Sequence, residues 1–284
     1  MESQTNLLIE TEQLAELIQN NPEGVKLVCG TWNLGADAMD PKEQFNEAHI
    51  EGSVYFNLQE IADTSSGFLA TWPSEEFFIS EMKRLGIRKD QTIVLYDHIN
   101  IFSVCRPAYM LRAFGAKDVR VLNGCLKKWI DEGRKVSTGY PKDVNDTSEE
   151  GYDYELVKDS VDFYESTFEK VAAAEKGETD DYEFVDVRNA ANFEKGTPPG
   201  FKNSFCFDYV TADKSTFKSK EEIEKQLLED GVDVNKHIVF SCGAGVTACI
   251  SELAARIAGA QKTSIYDGSY QEYCKKGRPE CLQN

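Results

Sequence analysis

The sequence predicts an α/β fold in two similar domains, each a parallel sheet with helices on both faces. Three observations lead to this prediction. Short, β-branched apolar runs alternate with segments of helical periodicity. A polar stretch rich in acidic residues interrupts this alternation near the middle of the chain, and the alternation then begins again. Because 284 residues suffice for two ordinary domains, the repeated order indicates a duplicated unit.

The first half of the chain contains four predicted strands separated by helices. The strands are predicted over 25–29, 54–58, 92–96 and 119–122. Helical periodicity is found over 74–85 and 103–114, and again over a shorter stretch that reaches Trp129. Ser74 is a typical N-cap for the first of these helices, and Gly86 is a typical stop. Because strands and helices alternate at this spacing, we expect the strands to run parallel.

Residues 138–158 are predicted to be a linker between an N-terminal domain at 1–137 and a C-terminal domain at 159–284. The linker contains Gly139, Pro141 and a run of acidic residues, and its apolar residues follow no period. We therefore interpret it as a solvated connector.

The second half repeats the order of the first. Helices are predicted over 161–175 and 219–228, and strands over 182–187 and 238–241. Cys242 ends its strand where Asp97 ends the strand at 92–96, 145 residues earlier, and Gly268 follows Gly124 by 144 residues. Only the second domain therefore carries a thiol at this strand end.

Composition argues against several functional classes. With 31 basic and 49 acidic residues the formal net charge is −18, which argues against nucleic acid or an anionic membrane surface as a partner. No apolar run approaches the length of a membrane-spanning helix. Eight scattered cysteines and three histidines predict no metal site. The first eleven residues contain no basic residue, so we expect neither a signal nor a transit peptide and predict a cytoplasmic location.

The segment after the strand at 238–241 predicts a reactive thiol. Cys242 is followed by a loop of small residues: Gly243, Ala244, Gly245, Val246 and Thr247. The glycines allow the loop to turn its N–H groups toward one point, and the positive end of the next helix acts in the same direction. Such surroundings favour the thiolate, which is the nucleophilic form of cysteine.

These features resemble the tandem-domain sulfurtransferases, the family of rhodanese and 3-mercaptopyruvate sulfurtransferase. Residues 242–248 are similar to the family loop Cys-Gly-Ser/Thr-Gly-Val-Thr-Ala, and residues 48–52 resemble its Ala/Gly-His-Ile-Pro-Gly turn. Segments 111–115 and 266–269 also match, so the resemblance covers nearly the whole chain. It implies two rhodanese-like domains with five-stranded parallel sheets, a catalytically silent first domain, and an active site that faces the domain interface.

The resemblance implies a sulfurtransferase of the thiosulfate or 3-mercaptopyruvate type that needs no cofactor. Cys242 would take a sulfane sulfur from a small-molecule donor and hold it as a persulfide, stabilised by the loop N–H groups. A thiol or a thioredoxin-like protein would then accept the sulfur. Because relatives occur in mitochondria, the resemblance also admits a mitochondrial location, although no transit peptide is visible.

The resemblance assigns supporting roles to His49, Asp40, Asp186 and Arg188. A simpler interpretation exists for each of them. His49 is then a turn residue bonded to the backbone, and Asp40 is a solvated acid. Asp186 and Arg188 are then a structural ion pair that braces the loop.

Departures from the family pattern weaken the prediction of the substrate. Ala244 stands where mercaptopyruvate-type enzymes have Ser or Thr, and Asn192 stands where the family has a donor-binding Arg. Lys195 is the other residue expected to contact the donor. Because a neutral Asn cannot replace a bidentate cation, we expect weak affinity for these donors or a different donor. The alternative is a weakly active or non-catalytic sulfur-carrier or binding protein of the same fold.

A tyrosine phosphatase on this fold is a further alternative. Its loop would place an arginine after Cys and five residues, where it binds phosphate bidentately. That position is Ala248 here, and the loop contains no arginine. The sequence therefore favours sulfur chemistry over phosphate chemistry.

Overall fold

The computed structural model describes residues 7–33 and 39–277, and they form two compact units. Unit 1 contains the described residues up to Ile61 together with Pro73–Val157 and Ala212–Thr216. Unit 2 contains Ala62–Trp72, Lys158–Thr211 and the described residues from Phe217 onward. Each unit therefore includes a short segment from the opposite half of the sequence.

Unit 1 is built on a five-stranded sheet. Its strands are β1 (Leu8–Glu10), β2 (Val25–Cys29), β3 (Val54–Tyr55), β4 (Thr92–Tyr96) and β5 (Asp118–Asn123). Its helices are α1 (Thr11–Asn20), α2 (Pro41–Glu47), α3 (Glu75–Leu85), α4 (Cys105–Ala113) and α5 (Cys125–Asp131). The strand order is β1-β5-β4-β2-β3, and every pair is parallel.

Unit 2 repeats this architecture. Its strands are β6 (Val161–Asp162), β7 (Tyr182–Asp186), β8 (Lys202–Asn203), β9 (His237–Ser241) and β10 (Thr263–Tyr266). Its helices are α6 (Tyr164–Glu175), α7 (Ala190–Glu194), a 3₁₀ turn (Cys206–Tyr209), α8 (Lys220–Glu229), α9 (Ala248–Ile257) and α10 (Ser269–Lys276). The order β6-β10-β9-β7-β8 is that of unit 1, again all parallel, so the predicted fold class is confirmed.

Local sequence patterns predicted the positions of the central strands and of helix α3 well. The predicted strands at 25–29 and 92–96 are found with those bounds, and α3 has Ser74 as N-cap and Gly86 in the left-handed conformation at its end. The helix predicted over 161–175 begins only at Tyr164. Residues 161–162 instead pair with Ile265 and Tyr266 as an edge strand, which is too short to show a period.

Each sheet has its own hydrophobic core. In unit 1 the buried cluster includes Leu27, Val94, Tyr96, Phe45 and Trp129. In unit 2 it includes Val171, Phe184, Phe201, Val239 and Tyr266. Full burial of such side chains contributes roughly 1.5–3 kcal/mol each, which fixes the central strands that carry the site.

Residues 138–157, within the predicted linker, belong to unit 1. Tyr152 and Tyr154 are buried, and the Tyr154 hydroxyl donates a hydrogen bond to the carbonyl of Ile87 at 3.0 Å. The Tyr154 ring also contacts Phe78 edge-on, with centroids 5.4 Å apart. The tyrosines thus pack on unit 1, and the boundaries at 137 and 159 stay predictions.

Candidate active site

Cys242 is the first residue after β9, a strand that lies between β7 and β10. Its side chain is only 2% exposed. The neighbouring strand β7 ends at the same edge, since the Val187 N–H donates to the carbonyl of Ser241 at 2.8 Å. In parallel sheets the carboxyl ends of the strands form this edge, where ligands usually bind. The fold therefore brings the end of β7 next to the cysteine.

The beginning of α10 holds the backbone of Cys242. The Cys242 N–H donates to Ser269 Oγ at 3.3 Å, and the Cys242 carbonyl accepts from the Tyr270 N–H at 3.0 Å. The next carbonyl, of Gly243, accepts from the Gln271 N–H at 3.0 Å. Three consecutive residues of α10 thus fix the peptide that carries the thiol.

The loop from Cys242 to α9 makes a tight turn. Gly245 has a φ of +72°, a left-handed conformation that favours glycine. Within the described part of unit 2, the N–H groups of Val246 and Thr247 donate to no acceptor. Thr247 is the N-cap of α9, but its side chain makes no capping hydrogen bond. The loop therefore offers unfilled donors near the start of a helix, as an anion site requires.

In unit 1 an internal carboxylate fills the equivalent loop. Asp97 follows β4 as Cys242 follows β9, and it is only 3% exposed. Its Oδ2 accepts from the N–H groups of Phe102, Ser103 and Val104 at 2.9, 2.9 and 3.0 Å. Burial raises the pKa of Asp97 to about 6, although these bonds and the Ser103 hydroxyl oppose the shift. The loop of unit 1 thus already binds an anionic group of its own chain.

Cys29, at the end of β2, is a thiol at this edge of unit 1. It donates to Thr31 Oγ1 at 3.5 Å, and Thr31 Oγ1 lies 2.7 Å from Nδ1 of His98. Cys29 is fully buried, and burial raises its pKa to about 12. A thiol in this state is a poor nucleophile, so Cys29 serves as a buried packing residue.

Asp186 and Arg188 form an ion pair at the end of β7. The Arg188 Nη2 donates to Asp186 Oδ2 at 2.6 Å and to the Gly196 carbonyl at 2.7 Å, while Thr197 Oγ1 donates to Asp186 at 2.8 Å. Arg188 also lies over the ring of Tyr270, 3.6 Å from its centroid. Burial acts against the charge of Arg188, but the bonds from Asp186 keep its pKa above the usual value. The pair therefore holds the segment at Gly196 and Thr197 and contacts Tyr270, whose N–H binds the Cys242 carbonyl.

Asn192 lies in the short helix α7, and Lys195 directly follows that helix. Both side chains are exposed. The helix is capped by Asn189, whose Oδ1 accepts from the Asn192 N–H at 2.9 Å. No residue of α7 is buried, so the helix presents these side chains to solvent.

His49 and Asp40 belong to unit 1, whereas Cys242 belongs to unit 2. The Nδ1 of His49 lies 2.9 Å from the carbonyl of Phe45, and the two rings stack with centroids 4.1 Å apart. Asp40 is the N-cap of α2 and accepts from the Lys42 N–H at 2.7 Å. Both residues thus have clear structural roles in unit 1.

The sequence analysis missed a segment that is bonded to Asp267 and to α10, the helix whose first residues hold the Cys242 backbone. Residues 62–72, which we call the strap, come from the first half of the chain but belong to unit 2. The Trp72 N–H donates to Asp267 Oδ2 at 2.8 Å, and the carboxamide of Gln271 bonds the backbone of Leu69 in both directions. No local pattern could have revealed these contacts, because Leu69 and Gln271 are 202 residues apart.

Two features are absent from the residues that the structure describes. Among residues 7–33 and 39–277, no cluster of three His, Cys, Asp or Glu side chains could hold a metal ion. In the same ranges, no helix combines the length and the apolar character needed to cross a membrane.

Comparisons with known proteins agree with this geometry. The family described as "Rhodanese-like domain" matches residues 12–132 and 169–276. The chain is 30% identical to thiosulfate sulfurtransferase of Gallus gallus, covering 96% of this chain and 95% of the relative. It is 29% identical to 3-mercaptopyruvate sulfurtransferase of Homo sapiens, covering 96% and 93%.

Solved structures show the same fold. The Escherichia coli protein SseA, described as a 3-mercaptopyruvate sulfotransferase, superimposes with a TM-score of 0.82 at 24% identity over 94% of this chain and 99% of its own. Tum1 from Saccharomyces cerevisiae gives a TM-score of 0.84 at 23% identity, covering 98% and 97%.

Proposed function

Because the chain belongs to the rhodanese-like family of sulfurtransferases, we propose that it transfers a sulfane sulfur through a persulfide on Cys242. The donor is a small molecule of the 3-mercaptopyruvate or thiosulfate type, and the acceptor is a thiol or a thioredoxin-like protein. One observation carries this proposal: Cys242 ends a central strand and is followed by a loop whose N–H groups at Val246 and Thr247 have no acceptor within the described part of unit 2.

In the first step the Cys242 thiolate attacks the outer sulfur of the donor. A bond forms between the two sulfur atoms, and the bond between the transferred sulfur and the rest of the donor breaks. The electron pair of the broken bond leaves with the remnant, which is sulfite from thiosulfate or the enolate of pyruvate from mercaptopyruvate. With mercaptopyruvate, the proton of its thiol sulfur passes to the enolate, which gives pyruvate and leaves the persulfide as an anion. The persulfide remains on Cys242, and its negative charge is stabilised by the loop N–H groups.

In the second step a thiolate acceptor attacks the outer sulfur of the persulfide. The sulfur–sulfur bond to Cys242 breaks, its electron pair returns to the Cys242 thiolate, and the acceptor leaves as a persulfide. Because the thiolate is regenerated, no external oxidant or reductant is required. This balance is consistent with a reaction that needs no cofactor.

The other site residues are proposed to support this chemistry indirectly. Asp186 and Arg188 position the loop beside Cys242, and Asn192 and Lys195 lie at the outer rim of the donor site. His49 and Asp40 order the turn and helix α2 of unit 1. Unit 1 is proposed to be catalytically silent because Asp97 replaces the cysteine and occupies the loop donors itself.

A loading experiment tests the proposal. The wild-type protein, Cys242→Ser and the control Cys249→Ser are incubated with thiosulfate or mercaptopyruvate and analysed by intact mass. Cys249 is a buried residue of α9 that bonds the Gly245 carbonyl, a contact that serine can keep. We expect a gain of one sulfur atom on the wild type and the control only, with steady turnover when a thiol is added.

Two outcomes would contradict this expectation. Undiminished sulfur transfer by Cys242→Ser would show that another group carries the sulfur. Loading of Cys242 without turnover would favour the non-catalytic sulfur carrier instead.

A further inference from the structure

The side chain of Tyr270 connects the Asp186–Arg188 ion pair to the peptide that carries the nucleophile. The Tyr270 N–H donates to the Cys242 carbonyl at 3.0 Å. The guanidinium of Arg188 lies on the face of the Tyr270 ring, with Cζ 3.6 Å from the ring centroid. Because Arg188 is held by both oxygens of Asp186, the ring rests on a cation whose own position is fixed.

The segment after α7 encloses the hydroxyl end of the same ring. Gly196, whose carbonyl accepts from Arg188, has a φ of +144°. A Cβ atom at this position would lie 3.2 Å from the Tyr270 hydroxyl oxygen, closer than an ordinary van der Waals contact. Glycine therefore allows the backbone to pack against the hydroxyl, and the ring is held both on its face and at its end.

Unit 1 has the same backbone bond without the aromatic contact. There the Leu126 N–H donates to the carbonyl of Asp97 at 2.9 Å. By the register of the strands, the residue that corresponds to Arg188 is Thr31. Neither leucine nor threonine can take part in a cation–π contact. The backbone bond thus belongs to the fold that both units share, whereas the stacked guanidinium belongs to the unit that contains Cys242.

The orientation of the Cys242 carbonyl matters to the thiol of the same residue. A carbonyl oxygen carries partial negative charge, and it disfavours a thiolate when it turns toward the sulfur. The bond from Tyr270 fixes this oxygen on α10. The bond therefore prevents a negative dipole end from opposing the charge that the loop N–H groups are proposed to stabilise.

We infer that Tyr270 is a positioning residue for sulfur transfer: its ring, seated on Arg188, fixes the N–H that holds the Cys242 carbonyl. This inference rests on the proposed function, because it assigns a further residue to that reaction. Tyr270 acts through the backbone and does not need to touch the donor. Its loss should therefore slow the chemical step and leave the binding of the donor nearly unchanged.

The test compares Tyr270→Leu, Tyr270→Phe and the control Tyr273→Leu with the wild type. Leucine is the residue that unit 1 has at this position, so the backbone accommodates it. Phenylalanine keeps the aromatic face for Arg188. Tyr273→Leu removes a ring from the same helix, where it stacks on Phe168 with centroids 5.5 Å apart. Steady-state sulfur transfer is measured, and alkylation of Cys242 by iodoacetamide is followed by peptide mass at several pH values.

For Tyr270→Leu we expect a turnover number about tenfold lower, which corresponds to about 1.4 kcal/mol, and a KM for the donor within about twofold of the wild type. Alkylation of Cys242 should be about tenfold slower near neutral pH and should approach the wild-type rate at high pH, where the thiol is ionised in both proteins. Tyr270→Phe should stay within about threefold of the wild type in both measurements. Tyr273→Leu should lower the melting temperature but leave turnover and alkylation within about twofold.

Three results would overturn the inference. They are wild-type alkylation and turnover in Tyr270→Leu, an equal loss in Tyr273→Leu, and a loss in Tyr270→Phe as large as in Tyr270→Leu. If Tyr270→Leu does not fold, Arg188→Lys decides the question, because it keeps a charge beside Asp186 and withdraws the planar guanidinium from the ring. Arg188→Lys should then show the same slow alkylation near neutral pH, and a wild-type rate would overturn the inference.

The two proposals fail in different ways. Alkylation requires no sulfur donor, so it reports on the thiol whether or not sulfur is transferred. Sulfur transfer by Cys242→Ser would overturn the proposed function. Equal alkylation rates in the wild type and Tyr270→Leu would overturn only the role of Tyr270.

Discussion

Replacement of Asp97 by alanine should destabilise unit 1, and the loss should depend on pH. The substitution removes the acceptor of three backbone N–H groups and of the Ser103 hydroxyl, all at 2.9–3.0 Å. While the carboxyl is protonated these are neutral hydrogen bonds at about 1 kcal/mol each, so the four bonds amount to roughly 4 kcal/mol. Ionisation of the Asp97 carboxyl in its buried site has a cost in free energy that opposes this contribution.

The cost of the charge follows from the shift in pKa. Burial raises the pKa of Asp97 from 3.8 to about 6, which is about two units. Each unit corresponds to about 1.4 kcal/mol, so ionisation in the folded state costs about 3 kcal/mol. Near neutral pH, where the carboxyl is ionised, we therefore expect Asp97→Ala to lower the free energy of unfolding by about 1 kcal/mol, which is the contribution of the bonds less the cost of ionisation.

The sign of the pH dependence is fixed by proton binding. Since the folded carboxyl has the higher pKa, the native state binds more protons than the unfolded state between about pH 4 and pH 6. The contribution of Asp97 is therefore largest at low pH and declines as the pH rises through this window. The loss in Asp97→Ala should accordingly be up to about 3 kcal/mol larger near pH 4 than near pH 7.

Urea unfolding followed by tryptophan fluorescence at several pH values measures this difference. Ser103→Ala is the comparison variant. Its hydroxyl lowers the pKa of Asp97 and also binds the Trp32 N–H and the Gly30 carbonyl, so its loss should keep the sign of the pH dependence and extend it to higher pH. A loss that grows as the pH rises would refute the reasoning. It would mean that the N–H groups outweigh burial and hold the pKa of the carboxyl below its usual value.

Two further predictions concern residues around the site. Asp186→Asn leaves the largely buried Arg188 without its charged partner. We therefore expect the free energy of unfolding, measured by thermal unfolding, to fall by about 3 kcal/mol and sulfur transfer to become at least tenfold slower. An unchanged melting temperature would contradict the bracing role. His49→Ala removes the bond to the Phe45 carbonyl and the ring stack, which should cost about 1–2 kcal/mol while the turnover number stays within about threefold. A much larger loss of turnover in an intact fold would point to a catalytic role for His49.

Much of the fold follows from local patterns in the sequence. Strands β2 and β4 and helix α3 were predicted because apolar periodicity and capping residues are properties of neighbouring residues. The duplication was visible because Asp97 and Cys242 follow equivalent strands. The strand–loop–helix pattern around Cys242 likewise indicated a candidate nucleophile without any knowledge of tertiary contacts.

The remaining features depend on contacts between distant parts of the chain. Strands β1, β6 and β8 are edge strands of two or three residues, which is too few for an alternating pattern to appear. The strap reaches the cysteine loop through Leu69 and Gln271, and neither residue belongs to a recognisable motif.

The exchange of segments between the two units has a consequence for whether the two halves of the chain can be separated. Unit 2 needs the strap from the first half, and unit 1 includes Ala212–Thr216, whose Lys214 and Ser215 carbonyls accept from the Ile101 and Gly124 N–H groups. Separate expression of the two halves would therefore yield two fragments, each without a segment that belongs to its own unit. Because unit 2 includes the strap, the half of the chain that has Asp97 at the strand end contributes part of the unit that contains Cys242.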